Sequence, residues 1–284
     1  MNNKKKDIVV LYSGGVDSTC AAALLLQEFK RIHLITYKRF GIFCISNIER
    51  NVSLLRSKFG SKRIIRGIID IDRFFKKISY ENYFYYFKKY GFMMLSTCGL
   101  CKLSMHVRTI KYCIDNNISY VADGANKNSG TGHFPAQMPL IINEIRKLYK
   151  DNKIVYLTPV LDFDRISASE MDWIRKIGFE NNNLNKKDKG EGDSKKTTRD
   201  ELLRLNIFPE SFTKGSKMDR QMQARCFQLI LFNIFLYDYF LPVYGEEKYK
   251  KITLEFFREK ITYCKSLARG SNSSRLTAVK DDLK

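Results

Sequence analysis

Residues Asp7–Ser18 read DIVVLYSGGVDS, and the fold turns on how that stretch is parsed. Asp7–Tyr12 is a short run rich in β-branched residues, with a lysine cluster before it and Ser13–Gly15 after it. That combination predicts a buried strand ended by a turn. Val16–Lys30 continues with apolar residues at helical spacing and the strong helix formers Ala21–Ala23. Working outward, His33–Tyr37 reads as a second strand, Ile48–Phe59 as a helix, and Arg63–Ile71 as holding a third strand. Strands alternating with helices in this way predict an α/β fold, a parallel sheet covered by helices.

The rest of the chain extends the pattern. Asp72–Tyr90 is a helical or irregular stretch dense in aromatics, and Cys98–Asn116 reads as a long helix. Ile118–Ala122 is a fourth strand, Ile141–Lys150 a helix, and Lys153–Pro159 a fifth strand. Ala168–Ile177 reads as a short helix with Ser167 as its N-cap. Asn181–Arg199 is polar and without apolar period, as in a flexible linker or inserted loop. Arg199–Leu205, Asp219–Leu241 and Glu246–Leu267 then look helical, and Ala268–Lys284 looks like a ragged, disordered tail. The expected organisation is a domain over 1–180, a linker over 181–199 and a helical extension over 200–267.

Composition narrows the function classes. The 284 residues are 44% hydrophobic, enough for a sizeable core. Fifty Lys and Arg against 30 Asp and Glu give a net charge of +20. Such an excess points to a polyanionic partner, nucleic acid ahead of membrane, although AT-biased coding also inflates lysine. Seven cysteines are an odd number and too few for a disulfide scaffold, and Met1–Asp7 has no secretory character, so a reducing cytoplasmic setting is expected. The longest apolar stretch, Phe227–Val243, is broken by Gln228, Asn233, Asp238 and Pro242. It reads as a buried helix and not as a membrane span, which needs about 20 mostly apolar residues.

Ser13-Gly14-Gly15-Val16-Asp17-Ser18 carries the most specific chemistry. Two glycines let the chain turn sharply and bring backbone N–H groups close to an anion, and the helix that follows adds its free N–H groups and positive end. Ser13 and Ser18 can donate hydroxyl hydrogen bonds, and Asp17 can hold a Mg²⁺ that shares phosphates. A plain strand-to-helix turn would also need glycines. The Walker ending Lys-Ser/Thr is absent, and the pattern is not G-x-G-x-x-G.

Ser-Gly-Gly-x-Asp-Ser after a first strand resembles the signature of the PP-loop ATP pyrophosphatase superfamily, over roughly Asp7 to Gly178. The resemblance implies a Rossmann-like parallel sheet with helices on both faces and ATP across the C-terminal strand ends. It implies ATP contacts from Ser13, Gly14, Gly15, Val16, Asp17, Ser18, Tyr37 and Gly124, with magnesium on Asp17, which also takes part in catalysis. It further implies cleavage of ATP between the α- and β-phosphates. A substrate carbonyl oxygen is adenylated, pyrophosphate leaves, and a nitrogen or sulfur nucleophile displaces AMP.

The cysteines distinguish the branches. Cys98-Gly99-Leu100-Cys101-Lys102 lies at an expected helix start, where the dipole should lower a thiol pKa. Two ordinary loop cysteines, or half of a zinc site, are the other readings, but a second C-x-x-C is lacking. The placement resembles tRNA thiolation enzymes, some of which hold an iron–sulfur cluster with a C-x-x-C pair and one distant cysteine. Cys226, flanked by Arg220 and Arg225, is the candidate third ligand; a buried structural thiol is the alternative. On the cluster reading it opens a helix Cys226–Leu241 and converges with Cys98 and Cys101. Cys20, Cys44, Cys113 and Cys264 are expected to be packing residues.

Around these, Asp123, Gly124 and Asn126 end the fourth strand and look like neighbours of ATP or Mg²⁺, unless they form only a turn. Lys102 should stabilise thiolate or approach phosphate. His133, within Thr131–Gln137, and His106 read more readily as ordinary loop and packing residues than as contacts to substrate or proton donors. Tyr80–Tyr90 has seven aromatics and two lysines; helical spacing favours core, and stacking on unpaired nucleotides is the alternative. Lys186, Lys187, Lys189, Lys195, Lys196 and Arg199 could grip phosphate or be solvated. Together these features predict an ATP-dependent tRNA sulfurtransferase, with tRNA and a sulfur donor protein or sulfide as partners. A nitrogen-inserting synthase resembling the deazaguanine nitrile synthases, acting on a small molecule, and a non-catalytic nucleic-acid binder are the rivals. Clustered zinc-binding cysteines near the end of the chain, which those synthases carry, are missing.

Overall fold

In the computed structural model, residues 6–127, 133–163, 197–209, 225–226 and 232–269 are described. The DIVVL run forms β1 (Asp7–Leu11), followed by α1 (Val16–Glu28), β2 (Arg31–Lys38), β3 (Ile42–Phe43), α2 (Ile48–Phe59) and β4 (Ile64–Asp70). Then come α3 (Asp72–Tyr80), α4 (Tyr83–Tyr90), α5 (Thr97–Asp115), β5 (Tyr120–Asp123), α6 (Pro139–Asp151) and β6 (Val155–Leu157). The remaining elements are α7 (Thr198–Arg204), β7 (Arg225–Cys226) and α8 (Leu241–Arg269).

Five strands make one parallel sheet in the order β4-β2-β1-β5-β6. The chain moves outward from β1 through β2 to β4, then returns to the other flank of β1 with β5 and β6. The connections therefore part between β1 and β5, and the C-terminal ends of those strands border a crevice. Alternation along β1 feeds two apolar layers. Ile8 and Val10 join Ala21, Leu25 and Leu26 of α1 and Val52 of α2. Val9 and Leu11 join Leu100 and Leu103 of α5, Ile142 and Ile145 of α6, and Phe256 and Phe257 of α8. Burial on both faces explains why DIVVL reads as an unbroken apolar run.

The polar stretch expected over 181–199 ends earlier than its composition suggests. Thr197 caps α7 through a reciprocal pair, its hydroxyl accepting from Asp200 N at 3.1 Å while Asp200 Oδ2 accepts from Thr197 N at 3.0 Å. Leu202, Ile207 and Phe208 pack in the layer of α1. α8 breaks at Gly245, whose φ of 78° suits glycine, so the regular helix resumes at Glu246 as the sequence implied. Among the described residues no helix is long and apolar enough to cross a membrane. The helix expected at Ala168–Ile177 with Ser167, the linker residues 181–196 and residues 270–284 lie outside the described residues.

Two expectations need correcting. A helix over Asp219–Leu241 was expected, opening at Cys226 in its apolar part. Instead Arg225–Cys226 is a strand, pairing antiparallel with Ile42–Phe43 in the register Ile42↔Cys226 and Phe43↔Arg225. Long-range pairing thus overrides the local apolar pattern. Farther on, Ile234–Phe240 winds as a π-helix, with Phe235, Leu236 and Phe240 buried.

The second correction concerns Tyr80–Tyr90. Asn82, at φ 58°, separates α3 from α4, and of the seven aromatics only Tyr86 is fully buried. An eight-residue helix with aromatics on every side can press one stripe against Phe256, here Tyr86 and Tyr90, and leaves the others outside.

Candidate active site

The glycine loop occupies the end of β1 at the crevice. Gly14 has φ 77°, a left-handed conformation that glycine adopts without strain, and Gly15 is the N-cap of α1. No side chain caps that helix, so its first-turn N–H groups and positive dipole end face the loop's concavity. The loop is braced from three sides. Ser13 and Ser18 share a hydroxyl contact of 3.1 Å, and Ser18 Oγ donates to Gly15 O at 3.0 Å. Buried Asn51 of α2 donates to Gly14 O at 2.6 Å. From β5, Gly124 lies so close that a Cβ there would fall 2.5 Å from Ser18 N, leaving room for no other residue. Val16 is half-buried at the start of α1.

Asp17 is half-buried beside this loop and is held by Thr198 of α7, whose hydroxyl donates to Oδ1 at 2.6 Å, and by the Asn126 side chain. Burial raises its carboxyl above the ordinary range, and those hydrogen bonds pull part of the way back. A half-buried carboxylate in the first turn of a helix that follows a glycine loop suits magnesium, which takes one or two carboxylates along with substrate phosphates. Tyr37 is placed differently. It is buried under α5 with its hydroxyl on Thr109 Oγ1 at 2.6 Å.

The C-x-x-C pair opens α5 at the same edge of the sheet. Lys102 reaches Asp123 at the end of β5, with Nζ 2.5 Å from Oδ2. Asp123 is fully buried and accepts further hydrogen bonds from Tyr156 OH at 2.8 Å and Ala125 N at 3.0 Å. Burial pushes this carboxyl up, yet Lys102 and the hydrogen bonds more than reverse it and hold the group below its usual range. Gly99 lets Phe257 approach, since a Cβ there would lie 2.3 Å from the ring.

Arg39, one residue past β2, sits on the thiols. It is buried, stacks over Phe75 at 4.1 Å, and donates from Nε to Cys101 Sγ at 2.9 Å and from Nη2 to Cys226 Sγ at 3.5 Å. One guanidinium therefore joins the C-x-x-C helix to the short β3–β7 ribbon. The helix start does not make these thiols acidic, contrary to expectation. Burial pushes Cys98 up to about 12 and also raises Cys101, against the pull of Arg39. The counter-charge expected from Arg220 and Arg225 lies outside the described side chains, and Arg39 stands in that role.

Three-thiolate cluster ligation requires the sulfurs to gather as a set. Among the described residues no group of three or more His, Cys, Asp or Glu side chains is drawn together to hold a metal ion. Cys98, Cys101 and Cys226 nevertheless lie close enough for their mutual repulsion to raise the Cys98 and Cys101 thiols, and Cys101 and Cys226 share the Arg39 guanidinium.

His106 is fully buried, with Nδ1 2.9 Å from Tyr149 OH and Nε2 3.8 Å from Asp123. Burial pushes its imidazole down to about 3, so it is neutral at physiological pH and serves packing. His133 accepts from Tyr249 OH through its backbone carbonyl at 2.6 Å, and its ring lies near Glu246. Of the cysteines expected to pack, Cys20, Cys113 and Cys264 are buried and Cys44 is exposed, in a left-handed turn that turns it outward. Arg199 lies in α7, and the five lysines of the polar stretch fall outside the described residues. Sequence reasoning missed Arg39, Asn51, Tyr156 and Thr198. Of these only Arg39 carried a local signal, its place immediately after a strand that ends at the crevice.

Comparison with family models and with curated proteins finds no match. Among solved structures, similarity is found to a protein of Methanocaldococcus jannaschii described as a predicted subunit of tRNA methyltransferase, at 21% identity and TM-score 0.38, over 60% of this chain and 74% of that one. U34-tRNA thiolase NcsA of Methanococcus maripaludis, with its 4Fe–4S cluster, matches at 14% identity and TM-score 0.36, over 92% and 74%. A glutamine-dependent NAD+ synthetase of Acinetobacter baumannii in complex with ADP matches at 14% and 0.35, over 78% and 45%. Likeness at this level adds no weight to any function.

Two outcomes follow from the geometry. Lys102→Met strands Asp123 as an unpaired buried carboxylate and should destabilise the protein by about 3 kcal/mol at neutral pH. In the parent, the folded carboxyl titrates below the ordinary value of 3.8, so its contribution is complete above that value and is lost as pH falls through the folded one. The gap between variant and parent in urea unfolding should therefore be widest near pH 7 and shrink in acid. Arg39→Met should raise Cys101 further and slow its alkylation at pH 8 several-fold, with exposed Cys44 as the internal standard; mass mapping of labelled peptides reads both.

Proposed function

We propose that the chain is an ATP pyrophosphatase of the PP-loop type that adenylates a base carbonyl of tRNA and replaces its oxygen with sulfur. The observation that carries this reading is the SGGVDS loop at the β1–β5 crevice. Its glycine turn, uncapped helix N-terminus and close-packed Gly124 form a cradle for a pyrophosphate-sized anion.

In this reading the first-turn amides and the Ser13 and Ser18 hydroxyls hold the β- and γ-phosphates. Asp17, oriented by Thr198 and Asn126, would hold magnesium, which neutralises the charge that builds on the departing pyrophosphate. The base carbonyl oxygen attacks the α-phosphorus, pyrophosphate leaves, and the carbon becomes bound to AMP.

Sulfur then arrives on one thiol of the Cys98/Cys101 pair as a persulfide supplied by a sulfur donor. Its terminal sulfur attacks the activated carbon and AMP departs with the C–O electron pair. The second thiol attacks the inner sulfur, releasing the thiocarbonyl base and leaving a Cys98–Cys101 disulfide that an external dithiol reduces. Arg39 lowers the cost of forming thiolate in a buried setting. Lys102, paired with Asp123, positions α5, and its charge also pulls the Cys98 and Cys101 thiols down against burial.

ATP cleavage with tRNA present should yield AMP and pyrophosphate. Asp17→Ala should reduce it at least 100-fold, in the range expected when a key charge contact is lost. Release of ADP in place of AMP would overturn the reading, and iron-loaded, brown protein purified without air would replace the persulfide route with cluster chemistry. Affinity for tRNA should drop roughly 10³-fold between low and moderate salt if several lysines contact phosphates. A salt-independent affinity, read by filter binding, would remove tRNA as the substrate.

A further inference from the structure

The corrected aromatics of α4 do not stand alone. Phe84, Tyr83, Phe87, Phe92, Tyr239 and Tyr244 form a continuous chain of ring contacts with successive centroids 5.9, 6.1, 5.6, 6.5 and 6.0 Å apart. Every one of the six is 39–85% exposed. An exposed aromatic surface that runs from α4 through the turn before α5 to the π-helix and the start of α8 is far more apolar than an isolated surface ring and marks a binding face.

The charge around it selects the partner. Lys88 lies one helical turn from Phe84 on the same face of α4, exposed and without an ion pair among the described residues. Lys248 sits 4.1 Å over the Tyr244 ring, also exposed and also without an ion pair among the described residues. Lys89 lies over Tyr85 and Tyr90 and pairs with Glu259. Asp238 is the exposed carboxylate of the π-helix. Protein–protein interfaces are depleted in lysine, whereas single-stranded nucleic acid is bound by aromatic rings that stack on bases beside cations that follow the phosphates. The chain's net charge of +20 points the same way.

Position links this face to the candidate active site. The excursion leaves the sheet at the C-terminal end of β4 and returns at Thr97, immediately before Cys98. Phe75 of α3 bears Arg39 on one side and Tyr80 on another. We propose that this aromatic strip is a stacking platform for unpaired nucleotides of an RNA substrate, laying the strand toward the thiols; it rests on the reading of the chain as an RNA-modifying enzyme and deepens it by naming the contact surface and the single-stranded character of what binds there.

The test uses the whole 284-residue chain and a fluorescent oligouridine RNA of about 12 nucleotides, a length within the usual reach of such surfaces. Phe84→Ala and Phe87→Ala should each weaken binding about tenfold, as loss of one stacked base does, while Phe84→Tyr retains it. Lys88→Gln should lower the salt dependence of log affinity by about one charge. A blunt RNA duplex, whose bases are not free to stack, should be indifferent to Phe84 and Phe87. Phe84 is 85% exposed, so its replacement leaves the core intact. Oligouridine affinity unchanged by both ring deletions overturns the proposal, and so does a change of sedimentation without a change of RNA affinity, which would make the strip a contact between copies. Formation of AMP is read in the same preparations. Normal AMP formation with ring-indifferent RNA binding sinks only the platform; ring-dependent RNA binding without AMP and pyrophosphate upholds the platform and sinks the ATP reading.

Discussion

Asp123 ends β5 with its carboxylate wholly out of solvent, a placement that costs several kcal/mol unless the charge is paired and hydrogen-bonded. Lys102, Tyr156 and the amide of Ala125 together meet that demand. Because Lys102 belongs to the first turns of α5, the pair also pins the C-x-x-C segment to the strand that lies next to β1. The strand end is pinned again one residue on, where Gly124 packs against the backbone of Ser18. The glycine loop and the thiols thus share one rigid edge, and neither can move far without exposing or unpairing the buried carboxylate.

A second linkage is longer in sequence and weaker in number of bonds. Arg39 joins Cys101 to Cys226 and is itself backed by Phe75, so α3, α5 and the β3–β7 ribbon meet on one guanidinium. Its charge pulls against the burial that raises the thiols. Nucleophilic thiolate in such a place depends on a nearby cation, and only a delocalised, weakly hydrated one can be buried there at tolerable cost. The same excursion that supplies Phe75 carries Tyr83, Phe84, Phe87 and Phe92 of the aromatic strip, so most of that strip and the backing of Arg39 are parts of one structural unit.

The sheet, the glycine loop and the helices that flank it could be read from local pattern, because each depends on residues within a few positions of one another. DIVVL alternates between two covered faces, Gly14 must take a positive φ, and the alanines of α1 favour helix. Asp17, Ser18, Cys98, Cys101 and Lys102 stood out because their chemistry is carried by spacing along the chain. Asn51, Thr198 and Tyr156 did not, since what matters in them is a hydrogen bond to an element distant in sequence.

The sequence by itself determined the alternation of strands and helices, the glycine turn at the end of β1 and the existence of a paired-thiol segment, all of them consequences of short-range backbone geometry and residue type. Tertiary structure alone decided what surrounds those features. It placed Arg39 on the thiols and turned Cys226 into a paired strand. It raised the cysteine pKa values by burial where a helix start had argued for lowering them. It also left the α4 aromatics outside, because one short helix can press a single stripe against its neighbour. Burial, desolvation and long-range pairing are properties of the packed chain, and no local pattern encodes which arginine or which side of a helix will meet them.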